Sequence, residues 1–420
     1  MRYIIGAVAI ITACATCVPT ELDLCLEYGH TLVDYSGQPD AQPTTRRAMA
    51  LELLTWQGGK YLLLNTGDGL RLYDNNNSLH PRYLAGREYV CSYCPAQEPG
   101  DHDWVQYNVS FCDDCRYAVS HFWQAGLALL DLGTGLAPDL PPLTGPTIRY
   151  YEAPSDAQGA FTFRHGSQQY LALNDLREAN EDDFAPGSCG HRATLWQVDG
   201  TEPSDLTEIS CVEPTISVTN GLYLTAGSDA YLYLIDRPTS RVHIFSIAGS
   251  GADLSLQYLG APMHAGSKFG RGIRADQAAG LLVTAVQGTP SARLWDISDP
   301  GQPMVIAELD GLLGTTVSRA AIRYPVLWLG KNAGLYTATF NIRDPTDPRS
   351  LDTTFWEADR TWNSQDTYPH LANADAEISI DGMALYLARY SMAAVIDTQG
   401  CNRIVSDGFE SGDLTAWNTN

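Results

Sequence analysis

Four of the ten cysteines in this 420-residue chain are spaced to do chemistry. Cys91-x-x-Cys94 is followed, after seventeen residues, by Cys112-x-x-Cys115, the spacing of a four-thiolate zinc site. Four protein sulfurs leave no open coordination position for a substrate water, so such a zinc would be structural. In an oxidising compartment the same residues form two disulfides instead, and the sequence leaves both arrangements open. Cys189 and Cys211 flank an apolar run at 193–198, next to a long insertion at 176–190. They are expected to pair and staple that insertion.

Other reactive groups are scattered. There is no His-Glu-x-x-His, Gly-x-Ser-x-Gly, P-loop or dinucleotide fingerprint, so no catalytic residue is assigned. Polar residues precede several apolar runs, among them Arg46, Arg47, His102, Asp103, Lys268, Arg271, Arg319, His370 and Asp375. His102 with Asp103, or His370 with Asp375, has the functional groups of a base or a metal ligand. The same residues also solvate the mouth of a channel, and they are read as binding candidates. The acidic stretches 178–183 and 74–77 offer oxygen ligands without the spacing of a calcium loop.

The elements that must hold these residues repeat. An apolar strand, a polar or glycine-containing turn, a second apolar strand and an acidic or polar break recur seven times, from KYLLLNTGDGLRLYD at Lys60 to MALYLARYSMAAVID at Met383. The residues closing the second strand of each pair are Asp74, Asp131, Gln197, Ser246, Asp296, Asn341 and Asp397, a period of about 50. No unit contains a helix-length periodic run. Repeats of short strands at this period predict an all-β fold, a seven-bladed β-propeller over 24–401.

One copy is distinctive. ARLWDISDPGQPMVIAELDG, from Ala292 to Gly311, resembles the LVIVD repeat, in which an apolar strand ends in Val-Asp and a Ser-Asp-Pro-x-x-Pro turn leads to the next strand. NIRDPTDP, from Asn341 to Pro348, repeats the turn. Asp favours the first turn position and Pro presets the second, and the other five copies keep the strands without the Asp-Pro pair. Members of that family are mostly exported bacterial proteins of unknown biochemistry, so the resemblance implies a propeller fold and an exported location.

A ring must close. The strand-like segment 24–37 precedes the first copy and is expected to supply the outer strand of the last blade, with Cys25 and Cys401 joined to lock the ends. Met1-Arg2 and the short apolar run behind it read as a signal peptide within 1–20, too short for the ~20 residues of a spanning helix. Ile11-Thr12-Ala13-Cys14 is similar to a bacterial lipobox, which implies a lipid on Cys14; an ordinary cleaved signal is the alternative. The tail, 402–420, carries DGFESGDLTAW, which is similar to a C-terminal segment of many exported bacterial proteins.

Charge narrows the partners. Asp and Glu number 49 against 26 Lys and Arg, a net −23, which repels nucleic acid and anionic membranes. The sequence is therefore read as an exported monomer of the cell envelope or medium, touching a membrane only through an N-terminal lipid. Its expected role is non-enzymatic binding of a protein or polysaccharide. No cofactor is assigned beyond a structural zinc, and the competing reading is a propeller hydrolase or oxidoreductase working at the channel mouth.

Overall fold

The chain folds as an all-β propeller. The structure is a computed structural model that describes residues 27–34, 48–56, 58–66, 69–88, 106–110, 112–122, 126–131, 148–150, 160–174, 189, 193–200, 205–236, 239–265, 272–285, 290–309, 317–331, 337–351, 373–389 and 392–398. Among these residues there are seven four-stranded antiparallel sheets. Sheet 1 runs outward through Ala48–Trp56, Gly59–Thr66, Gly69–Asp74 and Arg82–Glu88, and sheet 2 through Gln106–Ser110, Tyr117–Phe122, Gly126–Asp131 and Ile148–Tyr150. Sheet 3 comprises Ala160–His165, Gln168–Asn174, Ala193–Val198 and Leu206–Cys211; sheet 4 comprises Val218–Ala226, Asp229–Asp236, Arg241–Ala248 and Ser255–His264. Sheet 5 is Ile273–Asp276, Leu281–Ala285, Ala292–Asp296 and Met304–Leu309, and sheet 6 is Val317–Arg323, Val326–Lys331, Thr337–Asn341 and Arg349–Leu351. Sheet 7 is Asn373–Ile378, Ala384–Arg389 and Met392–Asp397, with Glu27–Asp34 as its outer strand.

The first strands touch in succession, each against the next, and the first strand of sheet 7 touches that of sheet 1. The core lies between faces of adjacent sheets. One buried cluster joins Phe163 and Tyr170 of sheet 3 to Leu232 and Phe245 of sheet 4. Another joins Leu64 and Tyr73 of sheet 1 to Tyr386 and Val395 of sheet 7. Because second strands are covered on both faces, they read as unbroken apolar runs rather than alternating ones. Leu281–Ala285 is buried at every position, whereas in the outer strand Met304–Leu309 only Leu309 is buried. Packing is tight enough in sheet 6 that a methyl group at Gly330 would collide with the Trp328 indole.

The Asp-Pro motif forms the turn expected of it. Gln302 N–H donates to the Asp299 carbonyl and Asp347 N–H to that of Asp344, so Pro300 and Pro345 sit second in β-turns. The acidic side chains fold back on their own backbone: Asp299 Oδ1 accepts from Gly301 N–H and Asp344 Oδ1 from Thr346 N–H. Sheet 1 builds the same turn without the motif, since His80 N–H donates to the Asn77 carbonyl and Asp74 Oδ1 accepts from Asn76 N–H. The stretch 74–77 is thus engaged in turn geometry.

A tyrosine on the second strand of one sheet then fixes this turn in the next. Tyr117 donates to the Asp199 carbonyl, Tyr170 accepts from Gly251 N–H, and Tyr233 donates to the Pro300 carbonyl at 2.5 Å. Tyr386 of sheet 7 reaches sheet 1, with its hydroxyl 2.7 Å from Asn75 Oδ1 and 2.8 Å from the Ser78 carbonyl. Burial pushes the Tyr233 and Tyr386 phenols well above their usual range, so both hold their protons. Beside the last contact, Ser78 donates to Asp381.

These turns make stability depend on acid. Main-chain and side-chain donors at Asn76, Ser298 and Thr346 hold the carboxyls of Asp74, Asp296 and Asp344 below the usual range. Burial pushes Asp381 up, but Ser379, the Met383 N–H, Ser78 and Lys60 outweigh it and the net shift is down. A carboxyl depressed by folding stabilises the native state above its unfolded value, near 4, and that stabilisation is lost as pH falls through the folded value. Relief of the −23 charge acts in the opposite sense. The expected result is that the wild type's stability advantage over a variant with Asn at 74, 296, 344 and 381 is largest at pH 7. Urea midpoints of the two proteins should converge below about pH 4.

Candidate functional site

The middle of the ring is built from charged residues inside otherwise apolar first strands. Arg274, on the first strand of sheet 5, is buried to 9% exposure. Its Nε donates to Glu377 Oε1 at 2.6 Å, its Nη1 donates to the Ile273 carbonyl at 3.1 Å, and its Nη2 lies 4.0 Å from Glu52 Oε1. Glu377 belongs to the first strand of sheet 7 and Glu52 to that of sheet 1, so one guanidinium reaches past sheet 6 to tie three sheets together. Burial pushes its pKa down, but Glu377 and Glu52 outweigh that and hold it above the ordinary value. Such a pair contributes only while both partners remain, because either charge alone in a poorly solvated interior is costly. Arg319, on the first strand of sheet 6, is buried to 4% exposure in the same layer of strands.

A second feature lies at the rim. Between the outer strand of sheet 4 and the third-to-fourth-strand turn of sheet 5 runs a groove of about 400 Å³, within the ~300–1,000 Å³ range of ligand clefts. Its walls include Ile244, Leu259, Pro262, Pro303 and Met304, and Asp299 is the one charged residue lining it among the described residues. Seven large apolar side chains are exposed among the described residues, and four of them, Tyr258, Leu259, Met304 and Val305, lie on the two strands beside this groove. That concentration marks an interaction surface rather than scattered exposure.

The chain matches no family model and no curated protein.

Few of the sequence candidates are among the described residues. Arg46, Arg47, His102, Asp103, Lys268, Arg271 and His370 lie outside the described residues, as do Cys14, Cys25, Cys91, Cys94 and Cys401. Asp375 is described only in its backbone, on the first strand of sheet 7, paired with Ala388. Arg319 lies within its strand rather than before it. Among the described residues, no group of three or more His, Cys, Asp and Glu side chains is placed to hold a metal.

The described cysteines are paired. Cys189 and Cys211 form the expected disulfide, fixing the end of the insertion to the outer strand of sheet 3. Cys112 and Cys115 are joined to each other across the first hairpin of sheet 2. Between them, Asp113 Oδ1 accepts from both the N–H and the hydroxyl of Thr55, each at 2.8 Å. Asp114, at φ +54° in the left-handed region that Asp tolerates better than most residues, donates its N–H to the Thr55 carbonyl. Arg164 of sheet 3 donates to the Asp114 carbonyl at 3.2 Å. The bridged hairpin thus grips a neighbour on each side.

Of the central charges only Arg319 was among the residues read as preceding strands; neither the trio Arg274, Glu377 and Glu52 nor the rim groove was. A signal for the former existed: Glu52 in LELL, Arg274 in IRAD and Glu377 in DAEI are charges within short inner strands. There they need a partner in the ring's interior. The groove had no comparable signal, because it depends on how two sheets splay at their outer edges.

Proposed function

We propose that this protein is an exported, non-enzymatic β-propeller that binds a protein or polysaccharide of the cell envelope or its surroundings. Its seven sheets are the blades of one ring, closed by the strand Glu27–Asp34, and the fold is related to the LVIVD-repeat proteins. The Asp-Pro turns at 299–302 and 344–347 and the succession of touching first strands support that reading. The signal-like residues 1–20 support export, with Cys14 either lipidated or removed with the signal. No helix among the described residues is long and apolar enough to cross a membrane.

The observation that carries the binding role is the contrast between axis and rim. The Arg274 charge at the axis is spent on Glu377 and Glu52, while the rim keeps an open apolar groove with a carboxylate in it. A rigid ring that displays such surfaces on its edges suits recognition. The test is retention of purified mature protein's ligands from envelope-protein and extracellular-polysaccharide fractions. A saturable ligand without chemical turnover is the expected result. Conversion of a retained molecule by the protein, abolished by neutralising a charged residue at the ring's centre, would establish the enzymatic reading instead.

A further inference from the structure

The rim groove has the chemistry of a strand-addition site. Resting on the binding role above, we infer that it takes an extended peptide of alternating basic and apolar residues. The peptide adds to the open edge of Met304–Leu309, with its apolar side chains in the groove and a basic residue at Asp299.

Three observations meet there. Met304–Leu309 is the outermost strand of sheet 5, with no partner on its far side among the described residues. It reads MVIAEL and exposes Met304 at 64% and Val305 at 47%. Natural edges are usually blunted by lysine, proline or a bulge. The neighbouring outer strand, Ser255–His264, follows that rule, with Pro262 and two register shifts against the third strand of its sheet. Met304–Leu309 carries one register shift against the third strand of its sheet, where Leu294 and Trp295 face Ala307 and Val305, but it has neither lysine nor proline within it, and an edge left open beside an apolar groove suits main-chain pairing with side-chain pockets.

Charge selects the occupant. Asp299 is held in place by Gly301 N–H, and its negative charge, together with that of Asp229, reinforces burial in pushing the Tyr231 phenol up. The cations on the third strands are otherwise engaged: Arg293 pairs with Glu308 at 2.8 Å, and Arg241 donates to the Ala261 carbonyl at 3.2 Å. A second copy of this chain fits poorly, since two bodies of net −23 repel each other. Sugars fit poorly too, because the walls supply prolines and aliphatics rather than converging polar groups.

The probe is a fluorescein-labelled Lys-Val-Lys-Val-Lys-Val peptide titrated into the full mature protein and followed by anisotropy. Saturable binding is expected, weakened by salt, lost for the Glu-Val analogue, and weakened roughly tenfold by Asp299→Asn. Val305→Lys should also abolish it, with unchanged circular dichroism and melting temperature for both variants. Two peptides N-methylated on opposite edges provide the second readout, because strand addition uses only one edge of the ligand: one isomer must bind and the other must not. Equal binding of both isomers, or of the acidic analogue, overturns the proposal, as does self-association through this edge. If the protein retains envelope ligands that Asp299→Asn and Val305→Lys leave untouched, the groove assignment fails while the binding role stands. If it retains nothing and binds no peptide, both fail.

Discussion

Replacing Arg274 with Met should cost about 3–5 kcal/mol of stability, the range for removing one partner from a buried ion pair. The loss comes from what remains. Glu377 has its 2.6 Å donor taken away and Glu52 its counter-charge, and their side chains are only 14% and 20% exposed. Two carboxylates from the adjoining first strands of sheets 7 and 1 then lose the positive charge they share, with little water to screen the loss. The damage should be localised to the closure of the ring, loosening the contact between those strands first. Pairing Arg274→Met with Glu377→Met and Glu52→Gln should recover most of the loss, since an apolar replacement for a whole buried pair is often neutral. Chemical-denaturation midpoints of the single, double and triple variants measure this. A single variant as stable as the wild type would show that the guanidinium is better solvated than its burial indicates.

How much of this was legible follows from where each feature's cause lies. The strand repeats were readable because second strands such as Leu281–Ala285 are covered on both faces, which forces unbroken apolar runs into the sequence. The turn at 299–302 was readable because Asp and Pro act on their own backbone. The equivalent turn at 77–80 was not, because Asn77 makes the same backbone bond without the proline that advertises it. The tyrosine contacts between sheets left no local signal: the phenol that donates to Pro300 is 67 residues away from it, and no local pattern encodes that reach. The grip of the Cys112–Cys115 hairpin on Thr55 and Arg164 depends on neighbours brought up by the ring. Arg274 shows the limit most clearly, since its partners lie in strands hundreds of residues apart in the chain and adjoin only once the ends have met.

Removing Glu27–Asp34 should therefore be the most damaging single change. This strand runs antiparallel to Met392–Asp397, from Glu27 against Asp397 to Asp34 against Met392, and Leu32 packs on the cluster shared by sheets 7 and 1. Without it the apolar strand MAAVID becomes an open edge, and sheet 7 is left with three strands at the point where the ring closes. The expected outcome is a protein that aggregates or melts about 5 °C or more earlier, a loss of several kcal/mol, and that regains part of its stability when the peptide EYGHTLVD is supplied in trans. Cys25 precedes Glu27 by two positions and Cys401 follows Asp397 by four in the sequence, and the pairing of Glu27 with Asp397 is the reason to test for the bridge expected between these two cysteines, which lie outside the described residues. A disulfide there closes a loop of nearly the whole domain and should contribute about 4 kcal/mol or more by restricting the unfolded chain. Mass spectrometry of alkylated, unreduced protein tests for the bond, and the melting temperature of the Cys25→Ser, Cys401→Ser double variant tests its effect. Should deletion of the strand leave the melting temperature unchanged, the ring is held by its sheet faces alone and the N-terminal strand is only an accessory edge.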